Sequence, residues 1–198
     1  MTGFRKLSTL DDLGIISEWI YESNENFFLE LFGSRKESIR SILLLLKNPY
    51  LNYFHRNFVT VVYGDKLSDV KGIVIAFDDS SVSWIDCFNA LYEIGLKSHL
   101  SIYYSSALSS FFSSYGDYCI ASFYVGEDYR RSGVGSKLLE KVKLGARQRN
   151  LKNIVVNVYH DDVNLQNFYS KHGFKKDNLN LKSIFNKVHG YSELKCKL

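Results

Sequence analysis

Residues 118–139 read YCIASFYVGEDYRRSGVGSKLL. The first eight, YCIASFYV, are apolar and rich in aromatic and β-branched side chains, which predicts a strand ending at Val125. Beyond them Val134, Leu138, Leu139, Val142 and Ala146 recur at helical spacing, which predicts a helix over 134–149. Between the two stand a pair of arginines and a pair of glycines. A helix N-terminus offers unpaired backbone N–H groups and a partial positive charge, so it attracts phosphates. Gly133 and Gly135 lack a Cβ and let a ligand approach the main chain, while Arg130 and Arg131 add charged forks suited to phosphate oxygens. The turn is competent to cradle a diphosphate, although any strand-to-helix turn can carry glycines. It is not a P-loop, which needs Gly-Lys followed by Ser or Thr, nor a dinucleotide fingerprint, which needs glycine where Leu138 stands.

The rest of the chain sets bounds on that reading. With 198 residues, 45% apolar and 15% aromatic, it has enough apolar material for the core of one compact domain. A net charge of +4, from 25 basic and 21 acidic residues scattered without blocks, is too mild to argue for nucleic acid. Cys87, Cys119 and Cys196 lie far apart and show no ligand spacing, so free thiols and no metal are expected. The N-terminal MTGFRKLSTL lacks the apolar stretch of a signal peptide, and ILLLL at 42–46 is too short for a bilayer. A soluble, cytoplasmic protein without a membrane role is the expectation.

Upstream, FRKL at 4–7 fits a short strand, and STLDDLGIISEWIYES a helix with Thr9 as N-cap, Asp11 and Asp12 in the first turn, and Leu13, Ile16 and Ile20 as its apolar stripe. SRKE at 34–37 has capping-box spacing before Ile39, Ile42, Leu43 and Leu46, and Asn48-Pro49 is a stop. Two β-branched runs, 57–63 and 70–77, flank GDKLSD and predict a hairpin. Trp84, Phe88, Leu91 and Tyr92 have helical spacing that Gly95 can end; the Ser/aromatic stretch after it reads as helix or irregular cover. Downstream come a strand at 153–159, a short helix at 163–171, and strand candidates in GFKK and GYSELKCKL. Alternating helices and strands imply an α/β or α+β sheet covered on its faces.

The order Arg130, two residues, Gly133, one residue, Gly135, placed five residues beyond Val125, resembles the acetyl-CoA-binding motif of the GCN5-related N-acetyltransferase (GNAT) superfamily. A second segment, VYHDDVNLQNFYSKHGF at 158–174, is similar to that family's strand, short helix ending in Tyr, and closing Gly-Phe. The resemblance is strong over 118–175 and looser elsewhere. It implies a mixed, mostly antiparallel sheet of six or seven strands, helices on both faces, and a splayed parallel pair formed by the strands ending at Val125 and Tyr159. It implies acetyl-CoA as cosubstrate, no metal, and a small-molecule or peptide amine as acceptor, in a single domain acting as monomer or homodimer. Edge strands formed by the tail would support a dimer.

Carried over by position, the resemblance assigns Arg130, Arg131, Ser132, Gly133, Val134, Gly135 and Ser136 to the pyrophosphate. Main-chain groups of Phe123, Tyr124 and Val125 would hold the pantetheine arm, and those near Phe123 to Val125 would face the oxyanion. Tyr169 matches the tyrosine proposed as general acid, and also lies against the cofactor. Where the family commonly has Asn, this chain has Asp162, so that contact falls to Asp162 or Asn164; Leu165 stands where a small residue is usual. The strand carries no carboxylate, which leaves Asp117, Glu127, His160 or a water relay as the base. Acceptor-covering helical segments are expected at 21–56 and 81–117, with Phe27, Phe28, Phe32, Trp84, Phe88, Tyr92, Tyr103, Tyr104, Phe111 and Phe112 as either core or the walls of an acceptor pocket. A non-catalytic acyl-CoA-binding module and an enzyme using a longer acyl group are the alternatives.

Overall fold

The β-branched runs on either side of GDKLSD do pair: β2 (Val59–Tyr63) and β3 (Val70–Asp78) form a hairpin closed by Gly64 N–H on the Asp69 carbonyl at 2.8 Å. In this computed structural model, which describes residues 3–8, 11–112, 116–177 and 190–198, the hairpin belongs to a seven-stranded sheet. The other strands are β1 (Gly3–Lys6), β4 (Tyr118–Val125), β5 (Asn153–Tyr159), β6 (Lys175–Lys176) and β7 (Tyr191–Lys197). Their order is β1-β2-β3-β4-β5-β7-β6, antiparallel throughout except for the parallel pair β4–β5. Helices α1 (Leu13–Ser23), α2 (Glu25–Phe32), α3 (Arg35–Lys47), α4 (Trp84–Glu93), α5 (Ser98–Phe112), α6 (Val134–Gln148) and α7 (Val163–Lys171) cover both faces.

Two apolar cores result, one on each face. On the first, α1 to α5 bury Ile16, Ile20, Phe27, Phe28, Leu45 and Phe112 against Val61, Ile73, Phe77 and Cys119. Its rings interlock, with centroids 5.1 Å apart for Phe27–Phe28 and 5.2 Å for Phe28–Phe54. Such pairs add about 0.5–1.5 kcal/mol each beyond the area they bury. On the second face α6 and α7 bury Leu138, Leu139, Val142, Ala146 and Tyr169 against Val74, Ile120 and Val156.

Several local expectations change. Thr9 lies outside the described residues, and α1 begins at Leu13 with Asp12 as N-cap, its carboxylate accepting from Gly14 and Ile15 N–H. Asp11 is not in the first turn; it pairs with Arg5 of β1. Ser34 caps α3 by accepting from Glu37 N–H, but the Glu37 side chain turns to Arg40, so only half of the capping box forms. Within the helical segment expected at 21–56, a separate eight-residue helix, α2, fills the interval before it. The Ser/aromatic stretch is the helix α5, with Ser101 and Ser105 buried. The tail strand β7 is not an edge: it lies between β5 and β6, and β6 carries Lys175 and Lys176 on the rim, where lysines discourage strand addition.

Candidate active site

Strand β4 positions the site by changing partners along its length. Its parallel register with β5 runs Tyr118–Ile154, Cys119–Val155 and Ile120–Val156, and then stops. Pairing with β3 continues to Gly72–Val125, so beyond Ile120 the two parallel strands splay. At that point the β3–β4 register shifts: Ile75 faces Ser122 and Ala76 faces Ile120, which leaves Ala121 as the extra residue of a β-bulge. The bulge re-phases the side chains. Tyr118 and Ile120 belong to the α6/α7 face, and so do Phe123 and Val125, which strict alternation from Ile120 would have put opposite.

The splay opens into a cleft of about 740 Å³ lined by Glu22, Ser23, Phe123, Tyr124, Val125, Arg130, Arg131, Gly133, Gly135, Ser136, Asp162, Asn164, Leu165 and Phe168. Ten of the residues anticipated from sequence are among them. The Ser132 hydroxyl donates to the Tyr129 carbonyl and the Val134 side chain is buried in the core, so at these two positions the expected contact is one for the backbone N–H alone. Tyr169 lines a smaller cavity deeper in the gap.

The turn has the geometry of an anion cradle. Gly133 caps α6 at φ +82°, a left-handed conformation open to glycine, and Arg131 adopts φ +61°, which is uncommon for a residue with a Cβ. Left-handed residues just before a helix turn successive N–H groups toward one point. A Cβ at Gly135 would meet Phe168 at 3.5 Å, so the ring of α7 closes over the helix start. Arg130 lies across the strand end, donating to the Val125 carbonyl at 3.1 Å and stacking over Tyr124 at 5.3 Å. His172 donates from Nδ1 to the Phe168 carbonyl, which leaves Nε2 to accept from Ser136 at 3.0 Å and ties α7 to the first turn of α6. These residues fit a diphosphate and the amide arm attached to it.

Asp162 caps α7, accepting from Leu165 N–H at 2.9 Å. That role suits Asp as well as Asn, which is why the acidic residue is tolerated there. Tyr169 is 1% exposed, its ring against Phe123 and Phe174, and no hydrogen bond to its hydroxyl is made among the described residues. Burial raises its pKa above that of an ordinary phenol.

The expected bases sit apart from this gap. Asp117 precedes β4 at its other end, bound to Asn153 at 2.7 Å and Lys195 at 2.7 Å. His160 shares a hydrogen with Ser192, and Glu127 pairs with Arg130. The carboxylate missed from sequence is Glu22, at the end of α1, which lines the cleft and accepts from the Tyr124 hydroxyl at 2.6 Å. Burial first, and this bond second, push the Tyr124 pKa up to about 12. Glu22, Glu25, Glu127, Asp128, Arg35 and Arg130 surround an adjoining cavity of about 650 Å³ with Trp19, Tyr124 and Tyr129. None of the ten aromatic residues proposed as acceptor walls lines these cavities: Phe27, Phe28, Phe111 and Phe112 are core, and Trp84, Tyr92 and Tyr103 are exposed on α4 and α5.

The sequence profile of the acetyltransferase (GNAT) family matches residues 50–174. No curated protein sequence matches the chain. Among solved structures, one described only as an acetyltransferase is 16% identical with a TM-score of 0.65, covering 98% of each chain. A chain of the NatC complex bound to Gag peptide and CoA is 12% identical with a TM-score of 0.60, over 100% of this chain and 98% of that one. The PaiA N-acetyltransferase from Thermoplasma acidophilum in complex with coenzyme A is 13% identical with a TM-score of 0.56, over 100% and 99%. At these identities the structural likeness speaks for the fold.

Proposed function

This chain belongs to the acetyltransferase (GNAT) family, and we propose that it transfers the acetyl group of acetyl-CoA to a primary amine by direct attack within a ternary complex. The observation that carries this reading is the joining, in one cleft, of the Arg130–Ser136 turn, the open edge of β4 and the start of α7. N–H groups at the start of α6, with Arg130 and Arg131, would hold the diphosphate. Main-chain groups of β4 facing the gap would take the pantetheine amides as an added strand takes its neighbour.

The chemistry needs a neutral amine, a stabilised oxyanion and a proton for the departing sulfur. A lysine-like amine has a pKa of about 10.4, so its proton must leave before attack, by way of water in the open cleft. Nitrogen attacks the thioester carbonyl, the N–C bond forms, and backbone N–H groups near Phe123 to Val125 serve the oxyanion. The C–S bond then breaks, and the proton lost from the nitrogen ends on the CoA thiolate. Tyr169 supports the thiolate as a hydrogen-bond donor, its raised pKa keeping the O–H intact throughout the physiological range.

The test is direct. Purified protein with acetyl-CoA and a panel of amines (spermidine, tyramine, benzylamine, an N-terminal alanyl tripeptide and a lysyl peptide) should release CoA thiol and give an N-acetylated product by mass spectrometry. CoA binding by calorimetry without thiol release from any of them would leave a binding module in place of an enzyme.

A further inference from the structure

Two amide oxygens beside the gap between β4 and β5 have no partner among the described residues. Asn24 Oδ1, from the α1–α2 junction, and Asn157 Oδ1, from β5, are buried and accept no hydrogen bond among the described residues. A buried carbonyl oxygen without a partner is costly, and native proteins keep few of them. Both residues line one small cavity of about 30 Å³, together with Ser23, Ala121, Ser122, Phe123 and Tyr169. Ser23, Phe123 and Leu165 line this cavity and the large cleft alike, so the one opens off the other.

The orientation of the amides is set by their nitrogens. Asn157 Nδ2 donates to the Phe111 carbonyl at 3.0 Å, so turning that amide over would place oxygen against oxygen. Asn24 acts on Tyr191 in the sense that favours its phenolate, as an amide N–H on that side would, and its Oδ1 is the buried atom without a partner among the described residues. Both oxygens therefore remain as acceptors. The cavity has room for a water-sized polar group, and its remaining walls are Ile120, Ala121, Ser122, Val156 and Leu165.

We infer that this cavity seats the attacking nitrogen: Asn24 Oδ1 and Asn157 Oδ1 accept the two N–H groups of a neutral primary amine and leave its lone pair free for the thioester. The inference rests on the amine reading above and adds a selectivity to it. A primary amine has two hydrogens for two oxygens. A secondary amine has one, and so leaves an oxygen unmet. An alcohol also offers only one. Asn24 and Asn157 are thus specificity residues, and the substrate class is the unhindered primary amine.

The probes are benzylamine and N-methylbenzylamine, or tyramine and N-methyltyramine, assayed by CoA release with the wild type and with Asn24→Leu and Asn157→Leu. For the wild type, kcat/KM should favour the primary amine by roughly 10- to 100-fold. In each variant the primary amine should lose most of that advantage while the secondary amine changes little, so the ratio falls toward one. Thermal melts and CoA titration report whether each variant is folded, and two variants keep the test valid if one is not. A wild-type ratio near one, or a ratio unchanged in both variants, overturns the seat while leaving the enzyme an amine acetyltransferase. Acetyl-CoA binding with no turnover of any amine overturns the amine reading, and the seat with it.

Discussion

Burial decides what Tyr169 can do. Its ring is 1% exposed and its pKa is raised by desolvation, so in the proposed reaction the hydroxyl is a standing donor and not a group that ionises by itself. A hydrogen bond to a charged partner is worth about 1.5–3 kcal/mol, which predicts that Tyr169→Phe lowers kcat roughly 10- to 100-fold. The dissociation constant for CoA, measured by calorimetry, should shift less than twofold, since the ring and its packing survive. An unchanged kcat would remove the hydroxyl from the reaction. Tyr169 is singled out by the sequence because it stands at a fixed distance from Gly173 and Phe174 in a motif. Asn24 and Asn157 are not, because an asparagine in a sequence reads as a cap or a polar strand residue. Only packing reveals which of its atoms is left unmet.

At the scale of elements, β4 is held in place by what β3 lacks. A Cβ on Gly72 would stand 2.8 Å from the Tyr124 carbonyl and 3.3 Å from Val62 Cγ1, so the strands approach closely only because that position is glycine. Gly72→Ala should therefore push the end of β4 toward the cleft, at a cost of about 1–3 kcal/mol in stability by denaturant titration. It should also weaken acetyl-CoA binding; an unaltered affinity would mean that the β4 end can shift without disturbing its ligand. Helix α7 offers a contrasting case, in which one side chain fixes the end of an element. Asp162→Ala removes the cap on Leu165 N–H, a loss of about 1 kcal/mol that corresponds to about 2–4 °C in melting temperature, whereas Asp162→Asn should melt with the parent. Elements with strong periodicity, α6, β4, β5 and α7, were legible almost to the residue. The bulge at Ala121 was not, since it depends on register with β3, and neither were the bounds of α2 within its helical segment, since its N-cap Asn24 makes no side-chain cap bond.

Across the whole molecule, what the sequence left open was chiefly order and facing: β7 sits inside the sheet, and Phe27, Phe28, Phe111 and Phe112 of α2 and α5 fill a core in place of walling a pocket. Long-range contacts of that kind tie the N-terminal segment to the rest, and one of them has a pH signature. Arg5 on β1 grips Asp11 with both nitrogens, at 2.6 and 2.5 Å, and also donates to the Leu67 carbonyl beyond β2, so strand, helix entry and hairpin meet at one guanidinium. Burial alone would raise the Asp11 pKa; the bonds from Arg5 and Ser8 outweigh it and hold the carboxyl below its ordinary range. A depressed folded-state pKa contributes stability that is present above the unfolded value of about 3.9 and lost as pH falls through the folded one. The parent should thus lose melting temperature in acid below about pH 4. Arg5→Leu reverses the sign at this site. With the Asp11 side chain only 1% exposed and its partner gone, burial dominates, protonation relieves an unpaired buried charge, and the variant is weakened most at neutral pH, by about 3–5 kcal/mol. Melting curves from pH 7 to pH 4 should show the gap between parent and variant narrowing as the pH falls; a constant gap would mean that Asp11 without Arg5 is not a buried charge that protonation relieves.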